Sequence, residues 1–366
     1  MTNVTVLGAG AWGTAFGQVL ADAGNNVTMW AIEPEIVEGI RDHHHNGVRL
    51  PSVKVLPSNM TATGDRAEAV ANADIIIVAI AAQFARVALA EFKDLIPSTA
   101  LVVSLMKGIE RTTGKRMDEV VMETLDLPAE RFAAISGPNL SKQIADREPA
   151  ATVVACADID NARTIATACT TDYFRAFVTR DVIGLEMCGS LKNVVALAVG
   201  MARGAGYGEN TAAMIETRGL AELTALGEAA GADPKTFAGL AGVGDLIATC
   251  GSPLSRNYTF GSNLGKGLSV EEATKVSNGV AEGVPTTDAV VALGKQYGVP
   301  TPLATAMSHN FSQNLTAGNV WCTDLHFFAL GNHQNFIEFY GNTGFSFQLL
   351  QANDLTFSYT VLLAAT

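Results

Sequence analysis

Short apolar runs alternate with amphipathic stretches along the first half of the chain. Several runs are almost wholly apolar, as in strands that are buried on both faces of a parallel sheet. The pattern predicts strands at Val4–Leu7, Val27–Trp30, Ile75–Ile80, Leu101–Ser104, Phe132–Ile135, Ala151–Ala155 and Tyr173–Val178. It predicts helices between them, for example at Trp12–Ala23, Pro34–Arg41, Phe84–Phe92 and Met117–Thr124. This alternation is typical of an α/β fold with a Rossmann-like, doubly wound sheet.

From about Gly184 the pattern changes to long stretches rich in Ala and Leu. These stretches predict helices at Gly184–Arg203, Asn210–Ala230 and Thr286–Tyr297, with no further strand before the tail. We therefore expect a Rossmann domain over residues 1–183, followed by an all-α C-terminal domain over residues 184–305.

The last part of the chain differs in composition from the rest. From Thr301 onward it contains no Lys or Arg and many aromatic residues. Residues 306–366 are therefore predicted to be an atypical tail of unknown structure. Such a tail is either a divergent extension or an out-of-frame reading of the end of the gene.

Charge and cysteine usage narrow the class of protein. The 366-residue chain has a formal net charge of −12, and nucleic acid is disfavoured as a partner because a phosphate backbone favours a basic face. A small anionic substrate needs only a local cationic pocket and stays compatible with this charge. The five cysteines are scattered and never form a CxxC pair, which predicts a reducing cytoplasm and no thiolate metal site.

Neither a signal peptide nor a membrane span is expected. Val4 begins a strand-like run almost directly after Met1. The longest apolar helical run, Met187–Ala202, is short for a membrane span and contains Lys192.

A glycine-rich motif, Gly8-Ala-Gly10-Ala-Trp-Gly13, follows the first predicted strand and opens the first helix. In this context the first glycine permits a tight turn, the second lets the backbone approach a pyrophosphate, and the third lets helix and strand pack closely. Phosphates then bind at the helix N-terminus, where free N–H groups and the helix dipole favour negative charge. The motif predicts a bound nicotinamide dinucleotide.

Glu33 is the residue that is relevant to the choice between NADH and NADPH. It lies 20 residues after Gly13, near the position where an acid accepts from the 2′-hydroxyl of the adenosine ribose. Equally, it could simply decorate the helix that starts at Pro34. No arginine stands at this point of the sequence to pair with a 2′-phosphate. Both NADH and NADPH therefore stay open.

Lys192 is the candidate catalytic acid or base. None of the six histidines lies in the presumed catalytic stretch, and no tyrosine has a lysine four residues later. Lys192 lies in the middle of a predicted helix that is apolar on almost every face. Desolvation there would lower the pKa of the lysine toward the range that is useful for proton transfer. The alternative is a lysine whose long side chain reaches the surface.

Further polar residues are expected to converge on the same site. Lys107 and the run Ser136-Gly137-Pro138-Asn139 each follow a predicted strand, where doubly wound sheets bind ligands. Asp245 and the run Ser255-Arg256-Asn257 come from the helical domain, and the arginine suits a phosphate or carboxylate. Each also has a simpler explanation, such as helix capping by Asn139 or Asp245 or a solvated charge at Arg256.

At these motifs the chain resembles the bacterial-type NAD(P)-dependent glycerol-3-phosphate dehydrogenases, over residues 1 to about 305. Besides the glycine-rich motif, the resemblance rests on Leu50-Pro51, Lys107-Gly-Ile-Glu110, Ser136-Gly-Pro-Asn139, Lys192-Asn193-Val, Thr217-Arg-Gly-Leu-Ala-Glu222, Gly242-Val-Gly-Asp245-Leu, Ser255-Arg-Asn257 and Glu282-Gly283. The chain departs from the family at Ile32, where a basic residue or His is frequent, and at Ile80-Ala-Ala-Gln83, which lacks the Pro-Ser expected before Gln.

The resemblance implies reversible hydride transfer between NAD(P)H and dihydroxyacetone phosphate, which gives sn-glycerol 3-phosphate for phospholipid synthesis. It implies that Lys192 is the proton donor. The residues implied to bind substrate are Lys107, Gly137, Asn139, Lys192, Asp245, Ser255, Arg256 and Asn257. Those implied to contact the cofactor, besides the glycines, are Ala11, Trp12, Lys107, Ser141, Arg256, Val280 and Glu282. It leaves a homodimer open.

Two other readings stay open from the sequence. One is a different enzyme of the same superfamily, related to ketopantoate reductase or 6-phosphogluconate dehydrogenase. The other is a redox sensor that binds the cofactor without turnover. The ordered Asp245 and Ser255-Arg256-Asn257 motifs disfavour the first, and the presence of Lys192 and Asp245 disfavours the second.

Overall fold

A computed structural model describes residues 1–277, 281–312, 345–350 and 356–361 of the chain. The N-terminal part contains the strands β1 Asn3–Leu7, β2 Asn26–Trp30, β3 Met60–Thr63, β4 Ile75–Val78, β5 Leu101–Ser104, β6 Phe132–Ser136, β7 Ala150–Cys156 and β8 Phe174–Thr179. They form one eight-stranded sheet with the strand order β3-β2-β1-β4-β5-β6-β7-β8. The helices of this part are α1 Ala11–Asp22, α2 Pro34–His43, α3 Arg66–Val70, α4 Ala85–Ala90, α5 Met117–Leu125, α6 Ser141–Ala145 and α7 Ile159–Ala168.

The sheet confirms the predicted doubly wound fold but corrects two details. β6 pairs antiparallel with β7, and all other neighbours in the sheet are parallel. The connection from β6 to β7 contains only the five-residue helix α6, whereas a parallel crossover usually needs a longer helix. The sequence also failed to reveal β3, because its residues Met-Thr-Ala-Thr carry too little apolar surface to stand out.

Described residues after β8 are helical up to Ser312. The helices are α8 Val182–Gly204, α9 Glu209–Ala229, α10 Pro234–Phe237, α11 Asp245–Cys250, α12 Arg256–Gly265, α13 Val270–Val276, α14 Gly283–Tyr297 and α15 Pro302–Ser312. A π-helical turn at Leu240–Gly244 leads directly into α11. The predicted all-α character of this part is confirmed over the described residues. Within the tail, β9 Phe345–Leu350 and β10 Thr356–Val361 pair antiparallel.

Helix α8 is the centre of the C-terminal part. Every residue from Gly184 to Ala202 is buried, because α9, α12 and α14 as well as the sheet pack around it. This explains why the helix is apolar on almost every face. Its 23 residues make it longer than predicted and, by length and composition, long enough to cross a membrane, but 89% of its most apolar window is buried inside the protein. It is therefore a core helix of the fold.

Four glycines let α8 and α12 touch backbone to backbone. A Cβ atom on Gly200 or Gly204 of α8 would lie 2.1 Å from a carbonyl oxygen of α12. A Cβ atom on Gly261 or Gly265 of α12 would lie equally close to a carbonyl oxygen of α8. Since no side chain larger than hydrogen fits, the contact fixes how the first residue of α12, Arg256, lies relative to α8 and its Lys192.

Candidate active site

The glycine-rich loop has the geometry of a dinucleotide cradle. Gly8 has φ of 110°, in the left-handed region, and a Cβ on Gly13 would lie 2.2 Å from the carbonyl oxygen of Gly8. A Cβ on Gly10 would meet nothing within 4 Å, so open space lies at the start of α1. Gly10 precedes Ala11 and Trp12, and no side chain caps the helix. The free N–H groups and the open space together fit a pyrophosphate.

Glu33 stands between β2 and α2, where it is the N-cap residue of α2. Its carboxylate pairs with Arg49, with 3.0 Å between Oε1 and the guanidinium. The sequence around Glu33 offers no arginine, but the loop after α2 brings one from 16 residues further on. The local sequence therefore did not reveal the arginine that the fold brings beside Glu33.

Two lysines share one buried aspartate at the centre of the candidate site. Lys192 Nζ donates to Asp245 Oδ1 at 2.5 Å and to Thr249 Oγ1 at 2.6 Å. Lys107 Nζ donates to the other oxygen, Asp245 Oδ2, at 2.7 Å and to the carbonyl oxygen of Gly137 at 3.4 Å. The side chains of Lys192 and Asp245 are 7% and 3% exposed, so this group of charges is almost free of water. Lys192 does not reach the surface, which removes the alternative of a lysine with a solvated ammonium.

The electrostatics of this cluster suit proton transfer. Burial, with repulsion by Lys107, lowers the pKa of Lys192 from its ordinary 10.5 to about 8, against the attraction of Asp245. Burial acts to raise the pKa of Asp245, but Lys107 and Lys192 outweigh it and hold that pKa below its ordinary value. Near neutral pH the aspartate is therefore ionised, and the Lys192 ammonium is close to releasing its proton.

Thr249 is a site residue that the sequence analysis missed. It is buried on α11, one helical turn after Asp245, and its hydroxyl accepts from Lys192 Nζ and donates to Asp245 at 3.3 Å. Residues four apart on a helix share one face, so the Asp-x-x-x-Thr spacing was the available signal.

The turn after β6 borders the same cluster. The Asn139 amide donates to the carbonyl oxygen of Ala151 at 3.0 Å and accepts from Thr152 Oγ1 at 2.8 Å. These bonds tie the turn to β7. Gly137 packs so closely on β7 that a Cβ would lie 3.0 Å from the Cα atom of Thr152. Ser141 is the first residue of α6.

Ser255, Arg256 and Asn257 form the start of α12. Ser255 accepts from the N–H of Tyr258 at 3.3 Å and caps the helix, and Asn257 accepts from the N–H of Gly283 at 2.8 Å. Both side chains are buried, whereas Arg256 is exposed at the helix N-terminus. Burial raises the pKa of the neighbouring Glu282, and Arg256, Lys107 and Lys192 act to lower it. Glu282 is thus within electrostatic reach of Lys107, Lys192 and Arg256, whereas Val280 lies outside the described residues.

Comparison with known proteins identifies the family. The family model for the NAD-dependent glycerol-3-phosphate dehydrogenase N-terminus matches residues 3–162, and that for the C-terminus matches residues 181–321. The chain belongs to the NAD-dependent glycerol-3-phosphate dehydrogenase family. The resemblance seen in the sequence is thereby confirmed, and the family match continues beyond residue 305, where that resemblance ended.

Relatives and solved structures agree with this family. A glycerol-3-phosphate dehydrogenase [NAD(P)+] of Bifidobacterium longum strain DJO10A is 82% identical over 318 residues, which are 87% of this chain and 96% of the relative. The crystal structure of a glycerol-3-phosphate dehydrogenase from Coxiella burnetii has a TM-score of 0.82 at 30% identity, over 89% of this chain and 98% of that one. As a member of this NAD(P)-dependent oxidoreductase family, the chain is an enzyme of that class.

The ketopantoate reductase alternative shares only the fold. A ketopantoate reductase structure from Ralstonia eutropha has a TM-score of 0.57 at 18% identity, over 85% of this chain and 98% of that one. This likeness carries no argument about the substrate. Among the described residues, no group of three or more His, Cys, Asp or Glu side chains could hold a metal ion.

Proposed function

We propose that the protein catalyses the reversible NAD(P)H-dependent reduction of dihydroxyacetone phosphate to sn-glycerol 3-phosphate. The observation that carries the proposal is the buried Lys107–Asp245–Lys192 cluster in a member of the glycerol-3-phosphate dehydrogenase family. It combines a proton donor with a pKa of about 8 and a second cation beside it. A phosphorylated ketone needs both features, since its carbonyl oxygen must be protonated and its phosphate charge balanced.

Lys192 is assigned as the catalytic acid. The bound nicotinamide supplies or accepts the hydride. In reduction, the Lys192 ammonium stabilises the negative charge that develops on the carbonyl oxygen and gives its proton to that oxygen. In oxidation, the neutral amine takes the proton from the hydroxyl. Asp245 and Thr249 hold Nζ in position through bonds of 2.5 and 2.6 Å.

Substrate binding is assigned to residues from both parts of the chain. Lys107 and Arg256 supply positive charge for the phosphate, and Ser255 and Asn257 fix the first turn of α12, which presents Arg256. Gly137 and Asn139 form the turn that lies against Lys107. Asp245 orients both lysines.

Cofactor binding is assigned to the cradle around α1 and to neighbours of the cluster. Gly8, Gly10, Ala11, Trp12 and Gly13 would hold the pyrophosphate and the adjacent part of the dinucleotide. Glu33 would contact the adenosine ribose. The remaining proposed contacts are Lys107, Ser141, Arg256, Val280 and Glu282.

The cellular setting is part of the same proposal. The product would serve phospholipid synthesis in the cytoplasm, and the four cysteines within the described residues are free thiols, as in a reducing compartment. We also propose a Rossmann domain over residues 1–183, a substrate domain over residues 184–305 and a tail thereafter. A homodimer and the absence of nucleic-acid partners stay predictions.

The test is the oxidation of NADPH and of NADH at 340 nm with dihydroxyacetone phosphate, for the wild type and for Lys192→Ala. We expect turnover by the wild type, and a loss of about 10²–10⁴-fold in kcat for the variant, the usual range for a general acid. The cofactor dissociation constant should stay unchanged in Lys192→Ala. A wild type that binds the cofactor but turns over ketopantoate instead of dihydroxyacetone phosphate would overturn the proposed substrate.

A further inference from the structure

An ion pair stands at the position where the two nicotinamide cofactors differ. Glu33 follows the carboxyl end of β2, which is hydrogen-bonded to the glycine-rich loop through the N–H of Gly8 and the carbonyl oxygen of Trp30 at 3.0 Å. In a Rossmann domain the acid at this point contacts the ribose 2′-hydroxyl of NADH, and an arginine nearby accommodates the 2′-phosphate of NADPH. Here both residue types are present and paired with each other.

The loop that carries Arg49 is fixed to the cofactor cradle. Asn46 is 2% exposed, and its amide donates to the carbonyl oxygen of Ala9 at 3.0 Å and to Thr14 Oγ1 at 2.8 Å. Its side-chain oxygen accepts from the N–H of Arg49 at 3.1 Å. The backbone of Arg49 is thus bound, through one buried side chain, to both the glycine-rich loop and α1.

In contrast to this fixed backbone, the two charged side chains are free to exchange partners. The side chains of Arg49 and Glu33 are 48% and 41% exposed, so either can turn toward a ligand without uncovering buried surface. Surface ion pairs of this kind contribute little to stability, and the pair can therefore open at small cost. Ile32 is 74% exposed beside them and offers apolar surface to an adenine ring.

We infer that Glu33 and Arg49 form a cofactor-selection pair that lets one site accept both NADH and NADPH. With NADH, Glu33 accepts a hydrogen bond from the ribose 2′-hydroxyl while Arg49 neutralises it. With NADPH, Arg49 leaves Glu33 and pairs with the 2′-phosphate, since a guanidinium binds phosphate in a bidentate way. The inference rests on the proposed NAD(P)-dependent function. It assigns Arg49 as a residue that determines cofactor specificity.

The test uses two nucleotides that differ only in the group in question. Adenosine 2′,5′-bisphosphate and adenosine 5′-monophosphate are titrated calorimetrically into the enzyme without substrate or nicotinamide. We expect Arg49→Gln to weaken binding of the bisphosphate by about tenfold or more, because a charge-assisted contact is lost, and to leave the monophosphate almost unchanged. Glu33→Gln should tighten the bisphosphate and weaken the monophosphate.

Arg41 provides the matched control. It lies on the preceding helix with 52% of its side chain exposed and pairs with Asp42 at 2.9 Å. Arg41→Gln should leave both dissociation constants unchanged, which separates the effect of Arg49 from a general loss of positive charge. If Arg49→Gln weakens both nucleotides equally, or neither, the inference is wrong. Binding is measured without dihydroxyacetone phosphate, so a failure of the proposed substrate would leave this result readable.

Discussion

The buried aspartate between the two lysines makes a prediction about pH. Asp245→Asn keeps the size of the side chain and removes its charge. In the wild type the carboxylate opposes the effect of burial and of Lys107 on the pKa of Lys192. Without it, the ammonium of Lys192 is left with desolvation and with repulsion from Lys107. We therefore expect the pKa of Lys192 to fall below its wild-type value of about 8.

The expected size of this pKa shift follows from the close approach of the charges in the cluster. At an effective dielectric constant of about 20, opposite charges about 4 Å apart attract by about 4 kcal/mol, which corresponds to about 3 pKa units. This is an upper estimate, because water entry and side-chain rearrangement recover part of the lost interaction. A downward shift of about one unit or more is therefore the expected outcome.

The assay is the pH dependence of kcat/KM, measured both for the reduction of dihydroxyacetone phosphate and for the oxidation of glycerol 3-phosphate. Reduction needs the protonated Lys192, so its rate constant should fall as the pH rises through about 8. Oxidation needs the neutral amine, so its rate constant should rise through the same pH. In Asp245→Asn both transitions should move to lower pH together. The substrate phosphate has its second pKa near 6, which keeps its titration apart from the wild-type transition.

Asp118→Asn is the control, since Asp118 is equally buried but pairs with Arg116 at 2.9 Å. This variant should leave both transitions near the wild-type pH. Cofactor binding by Asp245→Asn would establish that the variant is folded. If its transitions stay near pH 8 or move upward, Lys192 is not the titrating acid or Asp245 does not control it.

Two predictions concern stability. Gly261→Ala places a Cβ 2.1 Å from the carbonyl oxygen of Leu197. Urea unfolding should therefore show a free energy of unfolding that is lower by about 1–3 kcal/mol. Gly64→Ala is the control and should show no such loss, because its Cβ has only an ordinary contact at 3.7 Å. Burial raises the pKa of Glu222 from 4.5 to about 7, although it accepts from the N–H groups at the start of α15. The folded protein thus binds the proton of the Glu222 carboxyl more tightly than the unfolded chain does. The contribution of this carboxyl to the free energy of unfolding is therefore fully present below pH 4.5 and is lost as the pH rises through about 7. Relative to Glu222→Gln, the free energy of unfolding of the wild type should fall by about 3 kcal/mol over that pH range. If the difference between the two proteins in urea unfolding does not change with pH, the reasoning is refuted.

Much of the candidate site could be predicted because its residues lie at places that the sequence marks. The glycine-rich motif follows an apolar run and opens a helix, so Gly8, Gly10 and Gly13 could be assigned from the sequence alone. Lys192 stood out because a charge in the middle of an apolar helix is rare. Thr249 did not stand out, because its spacing of four residues from Asp245 becomes informative only once Asp245 is known to face a lysine.

Local sequence patterns were enough to predict most strands and helices, the glycine-rich loop and the candidate role of Lys192. This is because hydrophobic periodicity and the placement of glycines can be read over a few neighbouring residues. The antiparallel pairing of β6 with β7 became visible only in the tertiary structure. The short helix α6 between them indicates this pairing only once the two strands are known to lie side by side. Folding also decided which charges meet. Lys107 and Asp245 are 138 residues apart and Glu33 and Arg49 are 16 apart, and no local pattern encodes either pairing. Burial, which moves the pKa of Lys192, likewise exists only after α8 is surrounded by its neighbours.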